Sequence, residues 1–167
     1  MFQKLNLTLP ALDISKLMGS SYFSTDDSIY KEFDIPNMSY VRELFRDKVK
    51  FDIMPYQAHL LATTGDVPPH LDTPKCKINY YIEVNNEVTF FYKWKDESFV
   101  DNTVFKVFPK EHLDIVDSFV AQQGDCYFLN THVPHSVKVS PETNPRLVLC
   151  VMFDEPYDKV LPGIHLL

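Results

Sequence analysis

Cys126-Tyr127-Phe128-Leu129-Asn130-Thr131-His132-Val133-Pro134-His135-Ser136-Val137, followed after a polar turn (Ser140 to Pro145) by Arg146-Leu147-Val148-Leu149-Cys150-Val151-Met152-Phe153, decides the reading of this chain. Both runs are apolar and rich in β-branched and aromatic residues, as in strands that bury at least one face. The first run ends in a histidine and the second opens with an arginine. Paired antiparallel across the turn, the two strands would make His135 and Arg146 neighbours. An imidazole can bind a metal, and a guanidinium can clamp a carboxylate through two parallel hydrogen bonds. The other ligands must then be sought upstream.

Length and composition bound the possibilities. A chain of 167 residues is expected to form one domain: a helical lead-in over about 1–50, a β core over 51–153 and a tail over 154–167. Aromatics at 14% favour strands, and four glycines against twelve prolines favour stiff connections. The net charge of −7 argues against a nucleic-acid partner, which would want a basic face. Cys76, Cys126 and Cys150 are odd in number and form no CxxC pair, as suits a reducing compartment. With no signal-peptide pattern and no bilayer-spanning run, the expected location is cytoplasmic, without membrane contact. Nothing in the sequence sets the oligomeric state.

Along the chain, Asp13 is placed to cap a short helix through Met18, and Ser24 to Asp27 reads as a turn. Ser39 precedes a second helical pattern with Val41, Leu44 and Phe45 on one face. Strands are expected around Val49–Ile53, Ala58–Thr64, Ile78–Val84, Val88–Trp94 and Val104–Phe108. Asn85-Asn86-Glu87 reads as a hairpin turn between two of them. Val67-Pro68-Pro69-His70-Leu71-Asp72-Thr73-Pro74 is held extended by its prolines. Pro109–Phe119 fits a helix, while Ile115–Val120 also fits a strand. The expected architecture is mainly β, a jelly roll of roughly eight strands with one or two N-terminal helices packed on one sheet.

His70 and Asp72, two apart in extended backbone, project to one side and can reach one ion. With His135 they make two histidines and a carboxylate, the set that caps one face of an octahedral metal and leaves three positions open. A second HxD, His112-Leu113-Asp114, is set aside. On a helix its side chains would diverge, and on a strand only about 20 residues separate it from His135, against about 60 for Asp72. His132 competes with His135 for the third position. The reading favours His135, with Val137 and Val139 sharing its face and His132 at the rim.

Pro69-His70-Leu71-Asp72, Lys77-Ile78-Asn79-Tyr80-Tyr81, Gly124 to Thr131, His135-Ser136-Val137 and Arg146, in that order, resemble the Fe(II)/2-oxoglutarate-dependent dioxygenases. Leu129-Asn130-Thr131 leading to His135-Ser136-Val137 is most similar to their aspartyl/asparaginyl β-hydroxylase-like branch, including small phage and bacterial members. The resemblance covers about residues 58 to 153. It implies a cupin-like double-stranded β-helix holding Fe(II) by His70, Asp72 and His135. Arg146 would bind the far carboxylate of 2-oxoglutarate, with Asn79 facing the cofactor. It further implies hydroxylation of a peptide side chain or small amino-acid-like substrate by O2, with release of succinate and CO2.

Lys77, Thr73, Tyr80 and Tyr81 are softer candidates for the pocket wall, and Phe90 to Trp94 reads as sheet packing. Two other readings stand beside the oxygenase: a cupin-like metal protein of other chemistry, and a non-catalytic jelly-roll interaction or structural module. Arg146 separates the oxygenase from the first, and the intact ligand set argues against the second.

Overall fold

Alternation of side chains sorts the strands into two sheets that share an interior. The computed structural model describes residues 1–18, 30–84, 86–104, 106–139 and 146–167. β1 (Phe2–Leu5), α1 (Ile14–Met18), β2 (Tyr30–Asp34), α2 (Met38–Phe45) and β3 (Val49–Phe51) lead in. The core strands are β4 (Gln57–Thr63), β5 (Val67–His70), β6 (Cys76–Glu83), β7 (Val88–Trp94), β8 (Leu113–Val120), β9 (Cys126–Asn130), β10 (His135–Lys138) and β11 (Arg146–Phe153). α3 (Tyr157–Val160) and β12 (Ile164–Leu166) close the chain.

The larger sheet has the order β1-β9-β6-β11-β4-β2 and the smaller β5-β10-β7-β8, with every pairing antiparallel. The chain alternates between sheets: β4 large, β5 small, β6 large, β7 and β8 small, β9 large, β10 small, β11 large. This is the double-stranded β-helix expected of the sequence. Tyr81, Tyr127, Leu129, Val148, Cys150 and Met152 point from the large sheet into the shared interior, where Phe91 and Phe119 meet them from the small one. Their odd-step neighbours Ile78, Tyr80, Phe128, Leu149, Val151 and Phe153 point the other way, under Leu17, Val41 and Phe45. The helices thus cover the outer face of the large sheet, as expected.

Several local expectations are corrected. The stretch Cys126 to Val137 is not one strand: it breaks at Thr131–Pro134, where Pro134 has no N–H to give a ladder, and His135 opens β10 in the other sheet. β10 and β11 are therefore not a hairpin, since β10 pairs with β5 and β7, and β11 with β4 and β6. For the same reason β6 and β7 are not a hairpin, because they lie in different sheets. Asn86 does take the left-handed backbone of a turn residue, at φ 48°. Val104 and Lys106–Phe108 form no strand, Pro109–Phe119 is a 3₁₀ turn running into β8, and Ile53 lies beyond the end of β3. The lead-in is not purely helical: β1 and β2 form the two edges of the large sheet. α2 starts at Met38, one residue ahead of Ser39, with the Asn37 side chain accepting from Tyr40 N at 3.1 Å. In the tail, β12 pairs with β3. The turns expected at Ser24–Asp27 and Ser140–Pro145, along with Asn85 and Phe105, lie outside the described residues.

Candidate metal centre

β5 and β10 run side by side with His70 opposite His135. Asp72 follows β5 by two residues, held by its N–H to the Thr131 carbonyl at 3.2 Å, while the Thr131 hydroxyl donates to the Pro74 carbonyl. The polar loops after β5 and before β10 thus fasten each other. Ligand atoms of His70, Asp72 and His135 all lie within 4.8 Å of one another, and this is the one such group among the described residues. His70 Nε2 is 3.1 Å from Asp72 Oδ1, and His135 Nε2 is 3.4 Å from Asp72 Oδ2.

The protons on the two rings are set from behind. His70 Nδ1 lies 2.8 Å from the Pro68 carbonyl and His135 Nδ1 lies 2.9 Å from the Val133 carbonyl. A carbonyl only accepts, so each Nδ1 is a donor, which turns each Nε2 towards Asp72 and the shared space. Burial is the main influence on His135 and lowers its pKa, against the opposing pull of Asp72, favouring the neutral ring that a metal binds. Burial also works to raise the Asp72 carboxyl, but the Lys77 ammonium and both histidines outweigh it and hold it well below the usual carboxylate range. Lys77 Nζ is 2.5 Å from Asp72 Oδ2. The donor set, two imidazoles and one carboxylate, fits a divalent first-row ion such as Fe(II).

His132 is exposed in the turn between β9 and β10 and stands apart from this group. His112 and Asp114 sit around the start of β8, with Asp114 exposed. Val137 lines the same inner cavity as His135, while Ser136 faces away, bonded to the Tyr92 hydroxyl at 2.7 Å, and Lys138 is exposed.

Arg146 opens β11 and faces the same interior from the opposite sheet. His135 and Arg146 thus line one cavity from opposite sheets and are not hairpin neighbours. A small inner cavity of about 20 Å³ is lined by His70, Lys77, Asn79, Thr89, His135 and Arg146, among others, and has room for about one water. Asn79 is buried there, and its Oδ1 has no hydrogen-bond partner among the described residues. Arg146 Nε donates to Glu87 Oε1 at 3.1 Å and Nη2 to the Tyr81 hydroxyl at 3.2 Å. A larger cavity, about 220 Å³, opens beside Asp72 and is lined also by Thr73, Pro74, Lys77, Cys150, Met152 and, from the neighbouring strands, Glu32, Gln57 and His59. Lys77 lines both cavities. Tyr81 points inward and Tyr80 packs outward. In the sequence Glu87 reads as a turn residue. The signal for it lay in Arg146 itself, since a buried guanidinium requires a carboxylate or a comparable partner.

No protein-family model matches the sequence, and no curated protein matches it. Among solved structures, E. coli ycfD superimposes with a TM-score of 0.52 at 11% identity, over 85% of this chain and 39% of that one. A second structure of that protein, described as a ribosomal oxygenase in complex with cobalt and 2-oxoglutarate, gives 0.44 at 12% identity, over 75% and 32%. Vicilin from hazelnut gives 0.46 at 12% identity, over 82% and 32%. The chain thus spans well under half the length of each of these proteins. Its topology and the ycfD superposition establish a cupin-like jelly-roll fold, with a His70–Asp72–His135 cluster between its sheets.

Proposed function

We propose that this protein is an Fe(II)- and 2-oxoglutarate-dependent oxygenase that hydroxylates a peptide side chain or a small amino-acid-like substrate. The observation that carries the reading is the cluster itself, with the Nε2 atoms of both rings and the Asp72 carboxylate converging on one point. Two histidines and one carboxylate leave coordination positions free, which a closed structural site does not. The metal, when bound, supplies oxygen activation coupled to decarboxylation of 2-oxoglutarate. That E. coli ycfD, a protein of the same fold, is described with cobalt and 2-oxoglutarate supports the reading.

The chain's residues take the following parts. His70, Asp72 and His135 hold the ion, Arg146 takes the distal carboxylate and Asn79 offers its amide to the co-substrate. The cavity beside Asp72 receives the substrate. Formal charge agrees: Asp72 and Glu87 cancel Lys77 and Arg146, so a divalent ion leaves two positive charges, the number a dicarboxylate neutralises. The inner cavity is too small for 2-oxoglutarate as it stands. Lys77, in the wall common to both cavities, is the side chain whose withdrawal would join them.

A second reading, a jelly-roll metal protein of other chemistry, draws on one observation: the Arg146 fork already holds Glu87 and Tyr81. One experiment separates the two. Purified protein with Fe(II) and 2-oxoglutarate should release succinate, and Arg146→Ala should weaken co-substrate binding while leaving Fe(II) binding in place. Tight Fe(II) binding without any 2-oxoglutarate binding would favour the second reading.

A further inference from the structure

The outer face of the large sheet carries a cavity unconnected with the metal centre. It has a volume of about 470 Å³ and lies between α2 and β3. Its apolar lining includes Val41, Phe45, Val49, Phe51 and Val151, with Met54 and Leu167 exposed at the margin. Val151 points into it because its neighbours on β11, Cys150 and Met152, face the barrel interior. Among the described residues, the charged side chains lining the cavity are all cationic: Arg42, Arg46 and Lys50. Arg42 on α2 and Arg46 at its C-cap, still in helical backbone, are one helical turn apart beside the buried pair Val41 and Phe45. Lys50 stands 3.7 Å from Asp52, an exposed pair that solvent screens.

A cavity with an apolar lining and three cations is unusual on a chain of net charge −7. Apolar lining favours a hydrocarbon chain, and two guanidinium groups one turn apart favour a carboxylate head. We infer that this cavity binds a fatty carboxylate, with the acyl chain against Phe45, Val49 and Val151 and the head group between Arg42 and Arg46. The volume lies within the range of small-molecule sites.

The test titrates dodecanoate, below its micelle concentration, into the metal-free protein by calorimetry, with dodecanol and dodecyltrimethylammonium as uncharged and cationic counterparts. Saturable one-to-one binding of dodecanoate is expected, with dodecanol weaker by roughly tenfold and the cation weaker still. R42E/R46E, two exposed changes on one helix face, should retain the fold by circular dichroism and lose dodecanoate binding by about the same factor or more. D72A should bind dodecanoate unchanged, which keeps this site separate from the metal centre. Equal affinity for dodecanol and dodecanoate, full binding by R42E/R46E, or no saturable binding would each overturn the assignment. A doubling of mass in sedimentation that R42E/R46E abolishes would instead make the face a contact between copies of this chain.

Discussion

Arg146 Nε donates to Glu87 Oε1 at 3.1 Å, and both side chains are almost wholly buried, at 3% and 1% exposure. They come from opposite sheets, β11 and the segment leading into β7, so the pair joins the two walls of the barrel from inside. Removing one partner leaves an unsatisfied charge in a low-dielectric interior. Glu87→Ala and Arg146→Ala should each lower unfolding free energy by about 3–5 kcal/mol, and the double change Glu87→Leu/Arg146→Met should recover much of that. Chemical denaturation of the metal-free variants checks this. Near-additive losses in the double variant would show that the pair is not coupled.

Lys77 holds the Asp72 oxygen that a metal would want. In Lys77→Met the carboxylate keeps its place between His70 and His135 but loses a competing cation. Divalent metal should then bind roughly tenfold more tightly, while the metal-free protein becomes less stable. The rise in Tm on adding Co(II) should be larger in the variant than in the parent. A smaller rise would mean that Lys77 assists metal binding by orienting Asp72.

The two neighbouring histidines should behave in opposite ways. His135→Ala removes one of the three converging groups, and Asp72→Ala another, so each should abolish tight Fe(II) binding. His132→Ala changes an exposed turn residue and should leave Fe(II) affinity within about twofold and stability within about 0.5 kcal/mol. Asp114→Ala is the matched control. Anaerobic Fe(II) titration of the four variants distinguishes these outcomes, and a dead His132→Ala would reassign the third ligand.

The three thiols should be inert in the native protein. Burial pushes Cys76 and Cys126 up to about 12 and Cys150 up to about 11, from an ordinary value of 9.0. Folded-state values above the unfolded ones mean that the native state keeps its protons longer. The stability this contributes is complete below pH 9 and is lost as pH rises towards 11 to 12. At pH 8, iodoacetamide should label none of the three natively and all three in denaturant, as read by mass spectrometry. Rapid native labelling of Cys150, which lines the cavity beside Asp72, would contradict this.

Much of the site could be read from the sequence because its residues sit in conformationally restricted segments. Prolines hold Val67 to Pro74 extended, and Pro134 stops the ladder just before His135. Pairing was harder to read. A polar turn between two apolar runs looks the same whether the chain folds back on itself or crosses to another sheet, and so β10 and β11 were expected as a hairpin. β8 was ambiguous because Ile115, Val116 and Val120 are all exposed, which leaves no clean period of two. β2 carries little strand signature because Glu32 and Asp34 lie on one face of an edge strand beside His59, and an edge strand tolerates charge. Glu87 had no local mark at all, because its partner lies 59 residues away.

β5 pairs on one side only, with β10, and its register shifts between the His135 and Val137 pairs. Pro68 and Pro69 give no N–H to any ladder, which confines such a sequence to a sheet edge. Its other side is met by the Phe108 N–H at the Pro69 carbonyl, 2.9 Å away. Without metal, β5 is therefore the core strand expected to open first in amide exchange, long before the large sheet. An ion shared by His70 and His135 would bind this edge to its neighbour and slow exchange at His70, Leu71 and Asp72. The strand that carries the first ligand would then be the part of the barrel whose order depends on the ion it holds.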